Sequence, residues 1–280
     1  MNEDVAQLAD AAREREYLLG ARDDERQRLL GQGAAVRGQA AALLDRIGVE
    51  SGWRVADLGC GPLGILDLLG ERVGPDGRIV AVERDPRMVE HLTLSLKERG
   101  LSNVEIIEAD ATATGLAPGS FDLAHTRLVL VNVFAPGRVL AEMLRLVRPG
   151  GVVAAQEVDL SGFGCFPAHP SYDRLLAAVV AAWQDGRDPH VGRRVPGLFL
   201  DAGATDIHVD CFTLLQRQGD PNHRIVPFFA QLMREPILAA DLLTADEVDE
   251  LCAVVEDHLA QPGVITMWGP VYQVWGRRPT

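Results

Sequence analysis

Between Asp24 and about Ile47, apolar residues such as Leu29, Leu30, Ala34, Leu43 and Leu44 recur at helical spacing behind an Asp23-Asp24 start signal, which predicts a helix leading into a domain. Val5 to Leu19 reads as a separate amphipathic helix stopped by Gly20. After Gly52 the period changes. Short β-type runs from Arg54 to Asp57, Arg78 to Glu83, Val104 to Glu108, Phe121 to Arg127 and Val152 to Glu157 alternate with helical stretches, including one from Pro62 to Glu71. Asp85-Pro86 and Pro136 open two further helices, and Arg148-Pro149-Gly150-Gly151 makes a turn. Such alternation predicts parallel strands joined by right-handed helical crossovers.

Beyond Glu157 the alternation loosens. Helices from Ser171 to Asp185 and Arg194 to Ala202 precede a strand from Asp206 to Phe212, and helices over about Arg224 to Ala240 and Ala245 to Ala260 separate it from a last strand, Ile265 to Gly276. The predicted fold is α/β: a doubly wound, mostly parallel, seven-stranded Rossmann-like sheet. Residues 1–50 form an N-terminal helical cover, 51–160 the α/β core, and 161–280 the rest of the sheet with helical inserts. Eleven of the fifteen aromatic residues follow position 160, which predicts an apolar acceptor pocket there, built from Phe163, Phe166, Trp183, Phe228, Phe229, Met233 and Trp268. The plainer expectation is that these helices need a core of their own.

Composition narrows the partners. A net charge of −13 is repelled by nucleic-acid phosphates and by anionic membrane surfaces, so neither is an expected partner. Met1 to Arg15 is polar and acidic, and the apolar run Leu175 to Trp183 is too short to span a bilayer, which predicts a cytoplasmic protein. Cys60, Cys165, Cys211 and Cys252 form no C-x-x-C pair and the histidines no ligand-spaced cluster, so no metal site is expected.

The densest chemistry is Asp57-Leu58-Gly59-Cys60-Gly61-Pro62-Leu63-Gly64, where a strand gives way to a helix and glycines let a ligand approach the backbone. Glu83 ends the next strand, where a carboxylate can accept hydrogen bonds from both ribose hydroxyls. The same letters satisfy the G-x-G-x-x-G dinucleotide pattern, which admits an NAD-dependent oxidoreductase. Asp57 argues against it, because a carboxylate beside the loop repels a pyrophosphate but suits a cationic ammonium.

On these residues the chain resembles the class I S-adenosylmethionine-dependent methyltransferases, in the branch of the ubiquinone/menaquinone-biosynthesis enzymes and allied bacterial natural-product enzymes. Asp57-x-Gly59-x-Gly61, Glu83, Asp110-Ala111, Phe121-Asp122-Leu123 to Arg127 and Arg148-Pro149-Gly150-Gly151 carry the resemblance, in order and at family-like spacing. Leu63 departs from it: the family often has a third glycine there, and here Gly64 comes one position late. The resemblance implies S-adenosyl-L-methionine as cofactor, with Gly59 and Gly61 facing its methionine portion and Asp57 near it. Glu83 would hold the ribose, Arg84 would flank the adenine, Asp110 and Ala111 would lie on the adenine side, and the Arg127 carbonyl would meet the ammonium. Tyr17, Arg28 and Gln32 would belong to the N-terminal cover. The implied activity is methyl transfer to carbon, nitrogen or oxygen of a small organic acceptor, in secondary metabolism. A relative that binds the cofactor without transferring a methyl is the alternative, and a homodimer is compatible with either.

Ligand sites in open α/β sheets lie at the carboxyl ends of the strands, which selects His125, Asn132, Glu157 and Asp159, with Tyr17 and His169 supplied by the cover; His125, Glu157 and Tyr17 are the expected catalytic residues. His125 is also readable as a packed structural histidine.

Overall fold

A computed structural model describes residues 23–280, with side chains from Arg26 onward. Two helices, α1 (Asp23–Ala35) and α2 (Arg37–Ile47), lead into the sheet. The sequence predicts one helix here. The chain instead breaks at Val36, whose φ of −105° and ψ of 9° leave the helical region while its side chain is buried in the core.

The core then alternates β1 (Arg54–Leu58), α3 (Leu66–Val73), β2 (Arg78–Glu83), α4 (Pro86–Arg99), β3 (Val104–Glu108), β4 (Phe121–Arg127), α5 (Pro136–Leu146) and β5 (Val147–Val158). It continues through β6 (Gly164–Phe166), α6 (Pro170–Trp183), α7 (Val191–Asp201), β7 (Thr205–Phe212) and β8 (Leu215–Arg217) to α8 (Ile225–Leu232), α9 (Arg234–Ala239), α10 (Ala245–Leu259), β9 (Ile265–Met267) and β10 (Val271–Arg277). Seven strands form one sheet in the order β3-β2-β1-β4-β5-β10-β7, parallel except where β10 runs antiparallel to β5 and β7. This is the expected doubly wound sheet. Its order reverses between β1 and β4, the place where such sheets open a crevice.

Apolar side chains cover both faces. On one, Leu43, Leu44, Leu66 and Leu69 of α2 and α3 meet Val55, Ile79 and Leu123; on the other, helices α5 to α8 and α10 meet Ala56, Val80, Ala124 and Val153. No helix among the described residues is long and apolar enough to cross a membrane.

Several boundaries move for physical reasons. The helix after β1 begins at Leu66 and not at Pro62, because Gly61 and Gly64 take left-handed φ values of +58° and +56°. The helix read from Arg224 to Ala240 splits into α8 and α9 ahead of Pro236, which supplies no N–H and crowds the preceding turn. The last predicted strand splits at Gly269-Pro270, and its first piece joins β6 and β8 in a separate three-stranded sheet that the sequence reading did not foresee.

Candidate functional site

At the carboxyl ends of β1, β2, β3 and β4 lies a cavity of about 610 Å3, within the size range of small-molecule sites. The glycine loop forms its floor. Gly59 takes φ +70°, and a Cβ on it would lie 2.5 Å from Val129 Cγ2, so both the backbone and the space call for glycine. Gly64 does the work of the missing glycine at position 63: a Cβ on it would lie 2.9 Å from both Asp57 Oδ2 and the Cys60 carbonyl oxygen.

Glu83 closes the loop from below. Its Oε2 accepts from the Gly61 N–H at 2.9 Å, and its Oε1 from the Arg84 and Asp85 N–H groups at 2.8 and 3.1 Å. A carboxylate offers about four acceptor positions, so three are used by this chain's own backbone and Oε2 retains one. Burial pushes its carboxyl above the ordinary value against the pull of those three bonds.

Asp110 stands at the rim beyond β3, half-exposed, with Arg84 Nη1 3.6 Å from its Oδ2. Burial opposes its ionisation, but hydrogen bonds from the Thr112 hydroxyl and N–H and the Arg84 charge outweigh that and hold the carboxyl below its ordinary value. Next to it Ala111 is buried and also lines the cavity.

Arg127 reaches the cavity through its side chain. Nη2 donates to the Gly64 carbonyl at 2.8 Å, so the guanidinium braces the glycine loop. Burial lowers its pKa, opposed by the attraction of Asp57 and Asp67. Helix α1 supplies the roof through Leu29, Leu30 and Gln32, and Gln32 Oε1 accepts from Arg28 Nη1 at 2.8 Å. The wall from Leu128 to Val133 completes it, with Leu128 at φ +56°, a conformation that costs a branched side chain energy.

The structure therefore gathers Gln32, Asp57, Gly59, Gly61, Glu83, Arg84, Asp110, Ala111 and Arg127 around one cavity, together with Asn132. Tyr17 lies outside the described residues, as does the helix expected from Val5 to Leu19.

The two other candidate bases are corrected. His125 is fully buried under α2 and α3, with Nδ1 2.7 Å from Asp57 Oδ1, and it does not line the cavity. Glu157 is fully buried on the opposite face; its Oε1 accepts from the Val129 and Leu130 N–H groups at 2.8 Å each, and burial pushes its carboxyl up to about 7. It ties down the wall from behind. Asp159 is likewise buried, paired with Arg193, and His169 caps α6 through the Ser171 N–H.

The expected aromatic pocket is corrected as well. None of Phe163, Phe166, Trp183, Phe228, Phe229, Met233 and Trp268 lines the cavity, and among the described residues nothing beyond Val133 does. Trp183 packs edge-on against Phe229, and Phe163 against Trp268, inside the core of the helical layer. No aromatic ring and no histidine lines the cavity among the described residues.

The sequence reading missed the ionic rim. Arg37 of α2 binds Asp67 and Glu71 of α3, and Arg99 of α4 lies 3.3 Å from Asp67. These partners are about thirty residues apart in the chain, so no local spacing marks them.

Comparison with known proteins gives the same direction as this geometry. The chain is 31% identical over 173 residues to an uncharacterized 37.1 kDa protein in transposon TN4556 of Streptomyces fradiae, covering 60% of this chain and 48% of that protein. It is 30% identical over 183 residues to the demethylmenaquinone methyltransferase of a Geobacillus species, covering 61% of this chain and 78% of that enzyme. The chain thus spans about half to three fifths of the length of the first curated relatives it matches. Its fold is similar to that of phosphoethanolamine N-methyltransferase 2 of Haemonchus contortus, with a TM-score of 0.54 at 16% identity over 87% of this chain and 53% of that one. A family model described as a methyltransferase domain matches residues 49–188, half of the 280-residue chain, and covers every strand end that meets the cavity; this chain belongs to that methyltransferase-domain family.

Proposed function

We propose that this protein is an S-adenosylmethionine-dependent methyltransferase acting on a small organic molecule. The observation that carries the reading is the convergence of Asp57, Gly59, Gly61, Glu83 and Asp110 on one cavity at the carboxyl ends of β1, β2 and β3. The residues fit the cofactor. Asp57 borders the cavity, and its Oδ2 is a buried oxygen with no hydrogen-bond partner, packed beside Gly64 where a Cβ would crowd it; such a carboxylate suits a cationic ammonium. A dinucleotide pyrophosphate would meet that same carboxylate and be repelled.

When bound, S-adenosylmethionine supplies a methyl group activated by a sulfonium. Within the cavity Glu83 would hold the ribose through its remaining Oε2 position, while Arg84, Asp110 and Ala111 border the adenine end. The wall from Leu128 to Val133 and the α1 roof of Leu29, Leu30 and Gln32 would hold the acceptor in line and keep water out, the two effects on which such a transfer mainly rests. Leu128, Val129 and Val133 make that wall apolar, and Asn132 adds one amide whose Oδ1 has no partner.

A cavity of about 610 Å3 suits a small acceptor better than a macromolecule. The demethylmenaquinone methyltransferases among the relatives favour an acceptor of primary metabolism over the secondary metabolism expected from the sequence.

Incubation with S-adenosylmethionine and fractionated cell extract, read by mass spectrometry, tests the proposal. S-adenosylhomocysteine should form with the dialysable fraction. Product formed only with the macromolecular fraction would overturn the acceptor class, and cofactor binding with no methyl loss on any fraction would make the chain a non-methylating relative.

A further inference from the structure

His125 and Asp57 are direct neighbours across β4 and β1, at the point where the strand order reverses. Neither is accessible: His125 is 0% and Asp57 2% exposed. The row continues sideways. His125 Nε2 lies 3.4 Å from Gln156 of β5, and Gln273 of β10, paired with Gln156, donates to the Gln39 carbonyl of α2 at 3.0 Å. A polar row thus crosses four strands within a face otherwise packed by Leu43, Leu66, Leu123 and Ala154. Burying such groups costs free energy that an apolar residue at position 125 would avoid.

What distinguishes the row is how it ends. Asp57 Oδ1 is taken by His125 Nδ1, while Oδ2 is buried beside Gly64 without a partner, on a residue that borders the cavity. A nitrogen against a carboxylate carries the proton, so Nδ1–H donates to Asp57, and in the neutral ring Nε2 is then the acceptor. Gln156 Nε2 has no partner, and a half-turn of that carboxamide presents its N–H to His125 Nε2. Arg127 provides the competing pull, since its guanidinium braces Gly64 and attracts Asp57.

We propose that His125 is a positioning residue: its Nδ1–H holds one Asp57 oxygen so that the other stays turned into the cavity for the ammonium group on the amino-acid portion of the cofactor. This rests on the S-adenosylmethionine reading above. His125 acts through Asp57 and touches no reacting atom. The ring sits at the switch point because only there do a strand-one carboxylate and a strand-four side chain stand side by side behind the cofactor loop.

The test compares two ligands by calorimetry: S-adenosylhomocysteine, which carries the amino-acid portion, and adenosine, which lacks it. In H125L, affinity for S-adenosylhomocysteine should fall about tenfold, the size of one charge-assisted hydrogen bond, while that for adenosine stays within about twofold. In H125N the side-chain amide can donate from nearly the Nδ1 position, so most of the affinity should return. In a D57N background H125L should cost almost nothing further, since the group it positions is gone. Should H125L fail to fold, H125M fills the site with a flexible apolar chain and takes its place. Equal losses for both ligands, no loss for either, or a full H125L penalty in the D57N background would overturn the proposal. Failure of the wild-type protein to bind S-adenosylhomocysteine would overturn the cofactor reading itself, and the proposal with it.

Discussion

Asp57, Glu83 and Asp110 stand at or just beyond the ends of β1, β2 and β3, where they line the cavity, whereas Asp159 and the Phe163, Trp183, Phe229 and Trp268 rings that follow it are buried in protein. The difference lies in what covers each strand end. Behind β1, β2 and β3 come glycines and short turns, which bring backbone N–H groups and carboxylates to an open space. Behind β5 come α6, α7 and the long segment between β7 and β10, which place apolar area over every side chain they meet. The first half of the sheet brings its polar groups to the cavity, and the second half packs most of its aromatic groups against one another.

The most severe test of this division is Phe199→Ala in α7, where the side chain is 1% exposed and far along the chain from any lining residue. Stability should fall by roughly 3–5 kcal/mol, the usual cost of truncating a buried aromatic residue, with cofactor affinity of the folded protein held within about twofold. Denaturant unfolding and calorimetry read the two quantities separately. A parallel fall in affinity would mean that the two halves do not divide the work.

Glu83→Gln probes the other side with the reverse signature. It removes the charge that holds the Gly61, Arg84 and Asp85 N–H groups and points an amide at donors. Cofactor affinity should drop about ten- to hundredfold while the melting temperature changes little. An unchanged affinity would take Glu83 out of the site.

The smallest effect expected is a pH dependence, and it sharpens the boundary between the halves. Burial raises the Glu157 carboxyl to about 7, above its ordinary value of 4.5, with the Leu130 and Val129 N–H groups pulling the other way. A raised carboxyl binds its proton more tightly in the folded chain, so its contribution is fully present below about 4.5 and is lost as pH rises through about 7. Stability of the wild-type protein relative to Glu157→Gln should therefore decline over that window. A ratio that does not change with pH would show that Glu157 is not the buried acid the geometry makes it.

Much of this arrangement was written plainly in the chain. The strands Arg78–Glu83, Val104–Glu108 and Phe121–Arg127 stand where the alternation puts them, because short apolar runs bounded by glycine, proline and carboxylates allow few other solutions. The residues of the glycine loop also surround one cavity as their order implied. His125 was harder. Its two-residue spacing from Arg127 assigns both to one face of the sheet, yet spacing cannot say that α2 and α3 close over one and leave the other open. Glu157 hides in the same way behind the wall segment.

Other features depend on contacts that local pattern does not encode. Val36 interrupts a helix for the sake of a buried position, and Pro270 interrupts a strand by sending its first part to a different sheet. β6 and β8 are three residues each, too short for any alternation to register. The aromatic residues after position 160 misled for a related reason: composition counts rings, and only packing decides whether rings face a ligand or one another.

The join between β7 and β10 has one further consequence. Phe212 and Val271 stand directly opposite each other in the antiparallel ladder, so residues 213–270 leave the sheet and return to it at a single pair. The ladder already holds the two ends together, and lengthening a loop whose ends are held costs free energy only slowly. The excursion is therefore a graft on a hairpin. A lineage could exchange it for a longer, shorter or unrelated segment without shifting the register of one strand; helix α1, whose Arg28 stands over Phe228 and Phe229, would gain a new neighbour, and the glycine-loop floor would keep its geometry.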